Sequence, residues 1–135
     1  MPERKTLERA RKAKRQGKAP TTQAGEFVRE EIEHVREGKH GARSTKQAIA
    51  IGLSKARRAG VRLKPPRRGQ TSERTRKSAE RAYRAGKSGT HRKPSARRSR
   101  ATSRALKREP KRAASHKALA KQARSAAKRR RRSAA

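Results

Sequence analysis

Cysteine, tryptophan and aspartate are absent from the chain, and its aromatics amount to one phenylalanine and one tyrosine. Without cysteine there is no disulfide, no thiolate zinc site and no thiol nucleophile. Phe27 and Tyr83 offer few platforms for stacking bases, so reading of splayed single strands is not expected, and Phe27 reads as a core residue. No apolar run nears the roughly 20 residues that cross a bilayer, and no signal-peptide core follows the basic N-terminus. The basic stretches also lack the apolar face of an interfacial helix. A soluble, cytoplasmic chain with no membrane partner is therefore expected. There is no phosphate-binding glycine loop and no Gly-x-Ser-x-Gly elbow. His34, His40, His91 and His116 show no metal-ligand spacing with one another, and Glu30 with His34, four residues apart, reads as helix-surface polarity. The glutamates from Glu26 to Glu37 lack the companion groups of acid–base catalysis and read as helix solubility and ion pairing. The expectation is a non-enzyme with no catalytic, cofactor or metal site.

What the chain does have is positive charge. Of its 135 residues, 44 are Lys or Arg against 10 Glu, a net charge of +34. Self-repulsion on this scale opposes compaction unless a polyanion supplies counter-charge. Arginine outnumbers lysine, which suits bidentate contact with phosphate. With only 28% hydrophobic residues, most of the chain cannot offset roughly 1–2 kcal/mol of backbone entropy per ordered residue. The charge is uneven: residues 64–135 carry most of the surplus, whereas residues 21–63 are nearly balanced and hold Phe27, Val28, Ile32, Val35, Ile49, Ile51, Leu53, Val61 and Leu63.

Two helices read out of that middle segment. One spans Thr22 to Glu37, with Thr22 as N-cap, glutamates towards its N-terminal half and Val28, Ile32 and Val35 at i, i+4, i+7, stopped by Gly38. The other starts at Ser44, whose spacing to Gln47 is that of a capping box, carries Ile49, Leu53 and Ala56, and stops at Gly60 with Val61 placed for a Schellman contact. Lys64 to Gly69, with two prolines, reads as an extended linker. Thr71 to Ala85 is a third helical stretch, polar nearly all round. Gly86 to Arg98 reads as loop. Thr6–Arg15, Ser99–Glu109 and Lys111–Arg132 have helix propensity without an apolar face and read as disordered when free. The predicted fold is all-α: a short helical hairpin flanked by largely disordered basic tails with nascent helices. Its parts are a basic N-terminal tail (1–20), the hairpin (21–63), a linker (64–70), a polar helix (71–86) and a basic low-complexity C-terminal tail (87–135).

Residues 23–60, from Gln23-Ala24-Gly25-Glu26-Phe27-Val28 through Gly38-Lys39-His40-Gly41 to Ala56-Arg57-Arg58-Ala59-Gly60, resemble a family of small, highly basic bacterial proteins with Ala/Lys/Arg-rich tails. Members of that family are often labelled DNA-binding. The tails are also similar to those of linker-histone-like bacterial proteins. The resemblance implies a bacterial chain of this architecture and carries no mechanism of its own.

The candidate phosphate contacts follow from charge density. Lys128, Arg129, Arg130, Arg131 and Arg132 form the densest run. Arg57, Arg58, Arg62, Lys64, Arg67 and Arg68 extend from the second helix into the linker, where compensation of the helix dipole is the competing explanation. Arg97 and Arg98 after Pro94, and Lys111 and Arg112 after Pro110, loosely follow the Pro-basic turns that enter minor grooves. Nucleic acid is the expected partner, double-stranded DNA before RNA, bound through its backbone by a nucleoid-associated protein that compacts or bridges duplexes. Two alternatives stand beside it. One is an RNA-binding or ribosome-associated protein. The other is a helical interaction module with basic localising tails and a homodimer through residues 24–53.

Overall fold

The helix signals in the middle of the chain operate as local chemistry dictates. In the computed structural model, which describes residues 2–89 and 93–134, α2 (Pro20–Glu37) and α3 (Thr45–Arg58) carry the apolar positions named above. The first of them opens earlier than Thr22, on Pro20, a residue preset for the first helical position, and the Thr22 amide simply donates to the Ala19 carbonyl. At the start of α3, Ser44 Oγ accepts from the Gln47 amide at 3.2 Å, while Gln47 Oε1 accepts from the Arg43 amide at 2.7 Å, a capping box displaced by one residue. The Val61 amide bonds the Ala56 carbonyl at 3.0 Å around left-handed Gly60, the Schellman closure expected there. The same closure ends two other helices, with Lys18 bonding Ala13 and Lys39 bonding His34.

Four further α-helices are present among the described residues: α1 (Arg4–Arg15), α4 (Glu73–Ser88), α5 (Ala96–Arg108) and α6 (His116–Ala134), with a 3-10 turn at Arg112–Ala114. The all-α character holds, but the expectation of largely disordered tails is overturned. Most residues read as tail are helical, in α1, α5 and α6, with short non-helical connections such as 16–19, 93–95 and 109–111 between helices; His91 and its two neighbours lie outside the described residues. Large apolar side chains are scarce in these stretches, but they are not what orders them. Alanine costs no side-chain entropy and is the best helix former, and the packing uses alanine and backbone instead.

Internal contacts divide the chain into Met1–Glu31 with Ala50–Pro94, and Ile32–Ile49 with Ser95–Ala135. In the first unit Ala10, Ala24, Phe27, Ala56 and Val61 form the core, with Leu7, Leu53 and Leu63 against it. The N-terminus of α1 lacks an acidic first turn and a side-chain cap of its own. Glu30 of α2 supplies one, its Oε1 accepting from the Glu3 amide at 2.6 Å and from Thr6 Oγ1 at 3.1 Å. Fully buried Glu31 is paired with Lys55 of α3. The helices approach to backbone contact: a Cβ on Gly52 would lie 2.6 Å from Val28 Cα, and one on Gly86 of α4 would lie 1.8 Å from the Arg57 carbonyl oxygen.

In the second unit the end of α5 and the chain after it are tied to the α2–α3 loop and the helix ends beside it. Gly41 N–H donates to the Leu106 carbonyl at 2.8 Å and Ala42 N–H to the Pro110 carbonyl at 3.1 Å. Thr45 Oγ1 donates to the Ala113 carbonyl at 2.6 Å, and Arg36 Nε to the Ala114 carbonyl at 2.9 Å. Ala113 and Ala114 are buried, and α6 packs on the 3-10 turn they belong to. Each tie is a backbone carbonyl given a donor, so a segment with almost no large apolar side chains is still anchored.

This packing makes neighbouring glycines behave oppositely. Gly52→Ala and Gly86→Ala should each lower stability by about 1–3 kcal/mol, the usual cost of overpacking. Gly25→Ala, inside α2 with open space at its Cβ position, should raise it by about 0.5–1 kcal/mol. Urea melts of the three variants check this, and equal shifts in all three would contradict the close approach.

Candidate nucleic-acid interface

Cations recur on α4, α5 and α6 at helical period. On α4, Arg74, Lys77, Arg81 and Arg84 follow at intervals of three, four and three residues. On α5, Arg97, Arg100, Arg104 and Lys107 repeat that spacing, and on α6 Lys117, Lys121, Arg124, Lys128 and Arg131 run at four, three, four and three. Residues three and four apart share a helix face, so each set is a stripe, and every member is exposed. On α4 the stripe lies opposite Ala79 and Ala82, which face inward. No acidic residue occurs on α5 or α6. From Lys117 to Arg131 the α6 stripe is about 21 Å long at 1.5 Å per residue.

The residues singled out from charge density fall into different settings. Arg97, Lys128 and Arg131 belong to stripes, and Arg132 sits at the edge of the α6 stripe. Arg98, Arg129 and Arg130 are exposed on the same helices but off those lines. Pro94 and Ser95 do not form a groove-entering turn: Ser95 caps α5, its Oγ accepting from the Arg98 amide at 3.2 Å. Pro110 gives its carbonyl to Ala42, leaving Lys111 and Arg112 exposed at the 3-10 turn. Arg58, Arg62 and Lys64 are exposed, as are Arg67 and Arg68, which sit on a turn closed by the Gln70 amide to the Arg67 carbonyl at 3.2 Å.

Arg57 is different from its neighbour. It is buried, and its Nε and Nη2 donate to the Leu63 and Lys64 carbonyls at 3.1 and 3.3 Å. Burial lowers its pKa, yet a guanidinium remains a cation at neutral pH. It pins the segment after α3 onto the helix. Arg76 is likewise engaged within α4, with Glu73 at 2.8 Å and Glu80 at 2.5 Å, and its hydrogen bond holds the Glu73 carboxyl below the usual carboxylate range. Residues that charge density did not single out are Arg74, Lys77, Arg81, Arg84, Arg100, Arg104, Lys107, Lys117, Lys121 and Arg124. Their signal was the three–four spacing of cations, the same period that marks an apolar face.

Residues 5–68 match the model of a family of unknown function, DUF6496. That span runs from α1 to the turn before α4 and leaves the three striped helices outside it. No curated protein and no solved structure matches the chain. No helix among the described residues is long and apolar enough to cross a membrane.

The pair Arg57 and Arg58 separates structure from surface. Arg57→Ala strips two carbonyls of their donor and should cost about 1–3 kcal/mol, whereas Arg58→Ala should stay within about 0.5 kcal/mol of the parent. Thermal melts followed by circular dichroism read the difference, and comparable melting points would reject the structural role of Arg57.

Proposed function

We propose that this chain binds duplex DNA through its phosphate backbone with little regard for base sequence, as a nucleoid-associated protein that neutralises and compacts DNA. The observation that carries the reading is the set of exposed cationic stripes on α4, α5 and α6, two of those helices being free of acidic residues. A duplex offers one phosphate per roughly 1.7 Å of axis, so a stripe about 21 Å long meets more phosphates than it has cations in any register. Such contact discriminates poorly among bases, because phosphates position a protein without specifying sequence. Stripes on several helices give the chain several duplex contacts, which is what bridging requires. The role is one of binding rather than catalysis.

The mechanism predicts steep salt dependence. Each phosphate contact contributes about 0.9 to the slope of log affinity against log salt. Replacing Lys117, Lys121, Arg124, Lys128 and Arg131 together by glutamine should flatten that slope by about four to five on random duplex DNA, with helix content kept because glutamine is a good helix former. A slope unchanged by the five substitutions would remove α6 from the interface. Crosslinking in cells identifies the polymer, and recovery of mostly ribosomal RNA would overturn the DNA assignment.

A further inference from the structure

The stripes all lie on helices. A helix is about 10–12 Å across, too wide for the minor groove of a duplex at about 6 Å, so the stripes stay on the phosphates. The segment between α3 and α4 is built differently. At its base, Arg57 holds the Leu63 and Lys64 carbonyls against α3. Pro65 and Pro66 follow, each with its φ fixed by the ring. The chain then reverses at Arg67–Gln70. The Gln70 amide donates to the Arg67 carbonyl at 3.2 Å, and Gln70 Oε1 accepts from the Arg67 amide at 2.8 Å. Gly69 is third in this turn with φ 86°, the left-handed residue that a type II turn requires. Directly afterwards Ser72 caps α4, its Oγ accepting from the Thr75 amide at 3.3 Å. The segment is thus held at both ends and across its tip.

That tip carries Arg67 and Arg68, first and second in the turn. Both are exposed, and beyond its chain neighbours no heavy atom lies within 4 Å of the Cβ position of Gly69. Neither guanidinium has a hydrogen bond or ion pair among the described residues. Arg68 adds a weaker pull on the Glu73 carboxyl, which Arg76 holds at 2.8 Å. From Lys64 to Thr71 there is no carboxylate. Two adjacent guanidiniums on a fixed, narrow tip suit a narrow, electronegative slot. A-tract DNA offers one, because its minor groove is narrow and its negative potential draws in arginine. The floor of that groove presents only acceptors at A·T pairs, whereas each G·C pair adds an amino donor, which a guanidinium cannot bond. Arginine is also more weakly hydrated than lysine and loses less on leaving water.

We propose that the Arg67–Gln70 turn is a minor-groove contact, in which Arg67 and Arg68 enter the groove of A·T-rich duplex DNA and give the chain a preference for A·T composition that its stripes lack. The site rests on the duplex-binding reading and deepens it. The stripes set affinity through phosphate, and the turn selects among duplexes by groove width and floor. Because the turn is closed before binding, little ordering is left to oppose the contact.

The full-length protein is titrated with three duplexes of equal length: one of A-tracts, one of G·C pairs, and one with inosine in place of guanine. Inosine lacks the amino group in the minor groove and keeps the major-groove edge of guanine. The A-tract duplex should bind roughly tenfold tighter than the G·C duplex, the worth of one hydrogen bond to a charged group. The inosine duplex should bind like the A-tract duplex. Arg67→Gln with Arg68→Gln should bring the A-tract to G·C ratio close to one with an unchanged melting point, since both residues are exposed. Arg67→Lys with Arg68→Lys keeps the charge, so it should retain G·C affinity and lose most of the ratio. Equal affinity for A-tract and G·C duplexes in the parent, an inosine duplex that behaves like G·C, or a ratio unchanged in both double variants overturns the proposal. The two readings fail differently. Equal binding to all three duplexes sinks the turn alone, whereas absence of binding to any of them sinks the duplex reading as well. The five-fold α6 glutamine variant should weaken all three complexes and retain the ratio.

Discussion

The helices of this chain approach until backbone meets backbone, because the chain has little else with which to fill an interior. Ala24, Ala42, Ala48, Ala56 and Ala82 are fully buried, and Phe27 and Val35 are the largest apolar side chains enclosed to the same degree. Alanine removes little apolar area from water compared with leucine, so burial has to be supplemented by short-range contact and by hydrogen bonds between segments. Glycine at 41, 52 and 86 makes the contact possible: any side chain there would overlap the Glu109 carbonyl, Val28 or the Arg57 carbonyl. Small residues inside leave the long cationic ones outside. Of the chain's basic residues, only Arg57 is buried among those described, and it is spent on two carbonyls. The outward arrangement of charge is thus a consequence of how the interior is built.

The scarce negative charge is used with similar consistency. Ten glutamates oppose 44 cations, and half of them lie on α2. Solubility and ion pairing, the roles the sequence suggested for these residues, account for only part of their use. Glu30 caps α1, a helix that begins without a cap of its own, and Glu31 meets Lys55 across the α2–α3 contact. A buried carboxylate is tolerable only when paired or hydrogen-bonded. The pairing is incomplete at two of them: Glu26 Oε2 and Glu30 Oε2 are buried without a hydrogen-bond partner.

Some local signals in the sequence were legible where a single residue type enforces a backbone event, though Thr22 did not cap its helix, which opens on Pro20, and α4 passes through Gly86 to Ser88. Ser44 capped, Gly60 closed its helix with Val61, and Phe27 took its place in the core. The tails were misread because disorder was inferred from a shortage of large apolar residues, whereas Ala113, Ala114 and a set of carbonyls anchor them through contacts 68 to 78 residues apart along the chain. Nothing local in the sequence announces such contacts. The cationic stripes stand in plain three–four spacing, but apolar residues, the usual mark of a helix face, do not share that period in these stretches. Arg57 and Arg58 look alike in sequence and differ completely in environment, since only the path of residues 61–64 decides which guanidinium finds carbonyls. The packing of α1 on α2, with Glu30 holding the start of α1, joins residues up to 27 positions apart, and the expectation of a disordered N-terminus excluded it.

Helical stripes and flexible tails of equal charge are not equivalent binders. A flexible cationic chain must order its backbone as it condenses on DNA, at roughly 1–2 kcal/mol per residue fixed. A helix already ordered avoids that loss, and preorganisation of this kind raises affinity without any new contact. Order has a cost of its own: like charges three and four residues apart on one face repel by a few tenths of a kcal/mol per pair. In the proposed complex with DNA, duplex phosphates facing a stripe would offset that repulsion, so the free energy held in the unbound helix would be returned on binding. For α6, whose stripe repeats the like-charge spacing along most of its length, relief of repulsion and release of counterions would act in the same direction in that proposed complex. Both depend on charge alone, and both are indifferent to the bases beneath.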